Sequence, residues 1–224
     1  MGGLPQGGAA AKPGGVILHG YWRSGAAYRV RIALALKGLA YEQVNHDLRT
    51  GGQADPAYAA LNPQRLVPAL EVDGLVLTQS VAILEWLDER FPSPPLLPGD
   101  ADGRAIVRAM VATLATDVHP LHNLRTLKAL RQDFDASEPQ VNAWMAHWMT
   151  DGFAAIEALI ARHGGDFAYG DAPTLADCVT VPALYSAVRF GVDTGPYPRL
   201  VATASRTAAR AEAAHPSRQP DADA

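Results

Sequence analysis

The chain has 224 residues, 48% hydrophobic and 19% charged, enough for a sizeable core in one large domain or two small ones. A formal net charge of -4 argues against a nucleic-acid binder, and a single cysteine, Cys178, excludes an internal disulfide or a cysteine-built zinc site. No apolar run is long enough to span a bilayer and no secretory signal opens the chain, so a cytoplasmic protein is expected.

Residues 1–15 are rich in Gly, Ala and Pro and read as a flexible arm. Residues 16–20 form a short apolar run ended by glycine, a buried strand. A helix is predicted from Ser24 to Lys37, with Val30, Ala33, Leu34 and Lys37 on one face and Gly38 as its stop. Residues 41–47 resume as a strand, 48–55 as a polar, glycine-rich loop and 56–61 as a short helix. Residues 66–72 are a strand, Asp73-Gly74 a hairpin turn and 75–77 the return strand. Ser80 is a candidate cap for a helix whose apolar face carries Ile83, Leu84, Trp86 and Leu87 and which ends at Phe91-Pro92. The order β-α-β-α-β-β-α implies a mixed sheet, its first two strands parallel and its last two an antiparallel hairpin, with helices on both faces.

The four prolines in 92–102 mark an inter-domain linker. Beyond it strand signals nearly vanish. Residues 103–130, 141–163 and 174–190 are helical by period, so 103–214 is an all-α domain, and 215–224 is set aside as a flexible tail.

Three places carry chemistry. The loop Tyr21-Trp22-Arg23-Ser24-Gly25 joins a strand to a helix start, whose N–H groups favour anions. Taken alone, Ser24 is better read as an N-cap, and Arg29 and Arg31 as ordinary surface charges. Pro68 inside a strand run marks an edge, a bulge or a cis bond that exposes Val67. Gln79-Ser80 opens another helix, either as a plain cap or as a seat for a carboxylate. In the helical half, His119 and His122 lie at near-neighbour spacing, but no acid shares their face and a metal site is not expected. An exposed or capping role suits His122. Thr174 to Asp177 is a capping box, and Cys178 reads as a small buried apolar residue.

Residues 24–34, Asn62-Pro63 through Val67-Pro68-Ala69-Leu70, Gln79-Ser80 with 82–87, and Pro196-Tyr197-Pro198 together resemble the zeta class of glutathione transferases. Trp22-Arg23-Ser24-Gly25 and residues 101–104 look closest to its bacterial maleylpyruvate isomerases; maleylacetoacetate isomerase is the sister activity. The resemblance implies a thioredoxin-like α/β domain over 16–91, an all-α domain, and a homodimer. It implies glutathione as cofactor: Ser24 donating to the sulfur, Val67 beside a cis Pro68 pairing with the cysteinyl part, Gln79 and Ser80 holding the γ-glutamyl end, and Gln53 reaching the glycyl end. His119, Asn123 and Arg125 match positions lining the cleft, and Arg189 a carboxylate anchor. Arg23, Arg125 and Arg189 would grip a dicarboxylate substrate, with Arg23 and Ser24 nearest the chemistry. The implied activity is glutathione-dependent cis–trans isomerisation in aromatic-compound (gentisate) breakdown. Its rivals are the sister isomerase, a transferase conjugating or dehalogenating small acids, and a non-catalytic glutathione binder. One departure stands out: the family's Ser-Ser-Cys is Ser24-Gly25-Ala26 here.

Overall fold

The computed structural model describes residues 15–220 and 222, so the arm expected at 1–15 lies outside the described residues except for Gly15. Strands β1 (Ile17–Gly20) and β2 (Glu42–Asn45) pair in parallel, with Gly20 opposite Asn45. The connection is helix α1 (Gly25–Leu36), as a parallel crossover requires. Strand β3 (Ala69–Val72) runs antiparallel to β1, and β4 (Leu75–Thr78) returns beside β3, giving the order β2-β1-β3-β4. Asp73 and Gly74 sit at φ 50° and 80°, the left-handed pair that a two-residue hairpin demands. Helix α3 (Ser80–Arg90) packs with α1 on one face. On the other, Tyr58 of α2 (Pro56–Leu61) closes a small apolar cluster with Tyr21, Val67 and Ala69.

The second half is helical, as its composition implies: α4 (Ala101–Ala112), α5 (Leu124–Gln132), α6 (Glu138–His163), α7 (Leu175–Arg189) and α8 (Pro198–Arg210). The helix predicted over 103–130 is broken. The chain passes through a π-helical stretch (Thr113–Val118) and a 3-10 turn (His119–His122) before α5 begins. Pro120 is the cause, because it lacks the N–H that would continue the ladder. Carbonyls left over there find side chains: Thr126 Oγ1 donates to Pro120 and Trp144 Nε1 to Leu121, each at 2.7 Å. Helix α8 had no predicted counterpart. Its buried residues Leu200, Thr203, Ala204 and Thr207 recur at helical spacing opposite the exposed Arg199, Arg206 and Arg210, an amphipathic period that the sequence reading passed over.

One core runs through both halves, from Leu18 and Leu34 to Ile156, Val179 and Leu200. Two polar anchors hold its edges. Asp177, fully buried, accepts from the N–H groups of Thr174 at 2.8 Å and Ala168 at 2.9 Å, so the capping box is structural. Burial nonetheless raises its carboxyl above the usual value, against those bonds. Lys37 Nζ donates to Asp88 at 2.9 Å and to the carbonyls of Phe91 and Pro94, tying α1 to the linker. Cys178 is buried as expected, and its thiol is pushed far up by that burial.

Arg31 departs most from its sequence reading. It is fully buried, because α1 presents it inward beneath the β1–α1 loop. Its guanidinium donates to the carbonyls of Ala214 at 3.0 Å, Trp22 at 2.9 Å and Tyr21 at 3.4 Å, and lies 5.2 Å from the Tyr28 ring centre. Ala214 belongs to the segment after α8, and this is why residues 215–219, set aside as part of a tail, pack against the fold. His215 meets Tyr28 and Tyr185 edge-on, residues Pro216–Arg218 form a 3-10 turn, and Gln219 Nε2 donates to Ala213 at 2.8 Å.

Replacing Arg31 with Met strands the carbonyls of Trp22 and Ala214, while Tyr21 O keeps the Ser24 N–H, and costs about 3 kcal/mol of stability by urea unfolding. Arg31→Lys recovers less than half of that, since one ammonium does not span the fork.

Candidate active site

The loop after β1 brings the first group of predicted residues together. The Ser24 N–H donates to Tyr21 O at 3.0 Å, which folds the loop back on itself. Ser24 then caps α1, its Oγ accepting from Ala27 N at 3.3 Å. The N–H groups of Gly25 and Ala26 have no acceptor within the helix, so this end of α1 faces the cleft with donors and a positive dipole. A Cβ at Gly25 would stand 3.5 Å from His119 and 3.7 Å from Ser186 Oγ. Position 25 therefore meets the helical half, and glycine leaves that contact open.

The Val67–Pro68 peptide is cis. Strand β3 begins only at Ala69, so the backbone of Val67 lies outside the ladder and can pair with an extended ligand. The cap expected at Ser80 falls one residue earlier. Gln79, at φ 68°, is the N-cap residue without a side-chain bond to the helix, and Ser80 is the first helical residue. The Ser80 hydroxyl is already engaged, accepting from Arg29 Nη1 at 3.1 Å. Gln79 is exposed and donates to Gln64 Oε1. Gln53 stands in the short 3-10 turn Gly52–Ala54, and its Oε1 is buried without a partner.

Arg29 is the second arginine misread as a surface charge. It is buried, with Ser80 as its one hydrogen-bond partner, and desolvation lowers its pKa to about 10. It stays a cation at neutral pH, and its charge reaches the histidines above it. His119 is held well below the usual histidine value by desolvation, then by Arg29 and His122. His122 is buried, contrary to the exposed or capping role expected, because the turn at Pro120 points it inward at 5.2 Å from His119 and 6.2 Å from Phe190. Burial lowers its pKa to about 4, so both imidazoles are neutral at pH 7.

Two of the three predicted cleft arginines converge. Arg189, at the end of α7, has its pKa lowered by desolvation and then by the like charge of Arg23. Arg23 lies 5.3 Å from the Trp22 ring centre, and Arg189 lies 4.3 Å from that of Phe190. Arg125 is exposed in the first turn of α5, and no interaction links it to either. Asn123 caps α5, its Oδ1 accepting from Thr126 N at 3.1 Å. Sequence reading missed Arg29 and Ser186. Arg29 could have been found as a cation on the face of α1 opposite to solvent; Ser186 gave no local signal.

A strand–loop–helix start facing a helical half, with a backbone edge and a second helix start beside it, defines the fold of a glutathione transferase. The family model for the glutathione S-transferase N-terminal domain matches residues 14–89. The maleylpyruvate isomerase of a Ralstonia species is 49% identical over 208 residues, covering 91% of this chain and 98% of that one. The maleylacetoacetate isomerase of Pseudomonas aeruginosa is 49% identical over 212 residues, covering 92% and 99%. Among solved structures, a holo maleylpyruvate isomerase described as a bacterial zeta-class glutathione S-transferase superposes with a TM-score of 0.89 at 47% identity, covering 92% and 99%. A maleylacetoacetate isomerase from Anaeromyxobacter dehalogenans with bound GSH gives 0.84 at 47% identity, covering 93% and 98%. The chain belongs to the glutathione transferase family, in its zeta class with the maleylpyruvate and maleylacetoacetate isomerases.

The buried His122 gives a signed pH effect. Its folded pKa is depressed, so stability is full above about pH 6.5 and is lost as pH falls towards about 4, where the unfolded chain takes the proton first. The expected loss is about 3 kcal/mol. Urea midpoints at pH 7 and pH 4.5 check it: His122→Asn has a shallower pH slope than the parent, and equal slopes would place the proton on folded His122.

Proposed function

We propose that the protein is a glutathione-dependent cis–trans isomerase that converts maleylpyruvate to fumarylpyruvate. The observation that carries this reading is the pairing, in one cleft, of an anion-seeking helix start at Ser24 with the facing cations Arg23 and Arg189. The similarity to a named maleylpyruvate isomerase along nearly the whole chain supports it.

The site fits glutathione on its own features. Val67 offers backbone outside the sheet, Gln53 an unpartnered buried oxygen, and the starts of α1 and α3 offer N–H groups. Glutathione supplies, when bound, a thiolate that adds to the cis double bond and departs after rotation, so that it is returned unconsumed. Ser24 accepts from Ala27 N and still has its own hydroxyl proton to give, which lets it donate to that sulfur. The α1 start adds the N–H groups of Gly25 and Ala26, which favour the anion and lower the thiol pKa. Arg23 and Arg189 hold the substrate carboxylates and orient the double bond. His119 closes the cleft over Gly25 as a neutral group, so it adds no competing charge. The sister substrate, maleylacetoacetate, remains the second reading, because the two curated relatives named for these activities are equally similar. The setting we propose is a cytoplasmic homodimer, as the family resemblance implies; among the described residues no helix is long and apolar enough to cross a membrane.

The test is ultraviolet absorbance of enzymatically made maleylpyruvate with purified protein. The band is lost and fumarylpyruvate forms only with glutathione present, and no glutathione is consumed. Ser24→Ala lowers kcat/KM about 100-fold. Inactivity on both maleyl substrates by a protein that binds glutathione would sink the reading and favour a conjugating transferase.

A further inference from the structure

Tyr21 follows β1 directly and opens the loop that carries Arg23 and Ser24. Its backbone oxygen takes bonds from Ser24 and Arg31, so its place is fixed. The residue is 3% exposed, yet its phenol oxygen has no hydrogen-bond partner. A hydroxyl buried that deeply without a partner costs about 1–3 kcal/mol, and native folds rarely keep one unless something else satisfies it.

The surroundings say what would satisfy it. The Arg23 guanidinium lies 6.0 Å from the Tyr21 ring centre, and the Trp22 ring is 5.7 Å away. The phenol is within electrostatic reach of two further arginines that sit in different halves of the chain. Arg49 is raised above its usual value chiefly by its bonds to Asp47, with Tyr21 a smaller contributor, and Arg189 is lowered by desolvation and Arg23, with Tyr185 and Tyr21 opposing. Arg49 stands in the loop that carries Gln53, and Arg189 stands on α7. A neutral O–H donor amid guanidinium groups suits an acceptor with negative charge. A second orphan donor stands at the same edge, in the next residue: Trp22 Nε1 is also buried without a partner. This edge is formed by the carboxyl ends of the parallel strands β1 and β2, where open α/β sheets bind ligands.

We propose that the Tyr21 hydroxyl is a binding group that donates a hydrogen bond to a ligand carboxylate lying between the Arg49 loop and Arg189. Two carboxylates could occupy that place: the glycyl end of glutathione on the Arg49 side, or one end of the dicarboxylate substrate on the Arg23 and Arg189 side. The proposal rests on the functional reading above only for the identity of these ligands.

Tyr21→Phe removes one oxygen and keeps the ring. Binding is read by calorimetry on the full chain, with glutathione as one probe and malonate, an unreactive dicarboxylate, as the other. The expected result is about a tenfold weaker Kd for one probe, a Kd within twofold for the other, and a ligand-free melting temperature equal to or above that of the parent. Loss on glutathione assigns the glycyl carboxylate, and loss on malonate the substrate carboxylate. Unchanged affinity for both probes overturns the proposal. So does a lower ligand-free melting temperature with both probes weakened alike, because the hydroxyl would then be holding the fold. These readouts need no turnover, so an inactive isomerase with a selective binding loss would separate failure of the functional reading from failure of this one.

Discussion

The site depends on where Arg31 places the loop that follows β1. That loop has no regular structure of its own, and it must hold Ser24 at the mouth of α1. A guanidinium has five donors in a rigid plane, and here three go to carbonyls: Tyr21 and Trp22 of the loop, and Ala214 beyond the last long helix. Among the described residues no carboxylate is involved. The charge is offset by carbonyl dipoles and by the Tyr28 ring below it. Burial lowers its pKa to about 10, which leaves it charged at neutral pH. One side chain on α1 thus links the start of the α/β half to the end of the helical half. The packing of α1 on α7 makes that link rigid, and residues from both halves can then face each other across one cleft.

The same helix explains how an acidic chain holds a basic site. The formal net charge is -4, but several negative groups are spent in outer pairs, such as Glu85 with Arg108 and Glu138 with Arg131. Among the described residues Arg29 and Arg31 are buried without an acid partner, and Arg23 and Arg189 converge at the cleft. The histidines nearby are neutral, held down by desolvation and by Arg29. The positive field therefore comes from guanidinium groups, which keep their charge throughout the physiological range, whereas imidazolium would not. A site that must attract diacids and favour a thiolate gains from a charge that does not titrate.

Much of this was legible in the sequence. The element order, the parallel pairing of the first two strands through a crossover helix and the Asp73-Gly74 hairpin follow from local signals with fixed geometry. Ser24 as a cap and Thr174 to Asp177 as a capping box are equally local. What escaped are the features that depend on tertiary burial. Arg29 and Arg31 lie two apart on a helix buried along much of its length, and charge alone does not say that both faces are covered. His122 turned inward because Pro120 ended a helix whose period seemed to continue. Helix α8 is amphipathic, but its buried face of Leu200, Thr203, Ala204 and Thr207 is marked by the spacing of small residues between arginines and not by an apolar run. The segment after His215 looked like a tail because its partner, Arg31, stands far away in sequence.

The Ser24-Gly25-Ala26 loop shows how structural and functional roles coincide. As an N-cap, Ser24 accepts a bond from Ala27 at 3.3 Å, using a lone pair and leaving the hydroxyl hydrogen unspent. Capping therefore does not compete with the proposed donation to a sulfur; it fixes the oxygen from which that donation would be made. The family's second serine and cysteine would have added polar groups beside it. Here Gly25 adds none, and its open face meets His119 and Ser186 across the cleft. With no thiol at that position and Cys178 sealed in the core, any sulfur chemistry falls to the bound tripeptide. In the function we propose, stabilising its anion rests on one hydroxyl, the N–H groups of a helix start and the standing charge of the arginines.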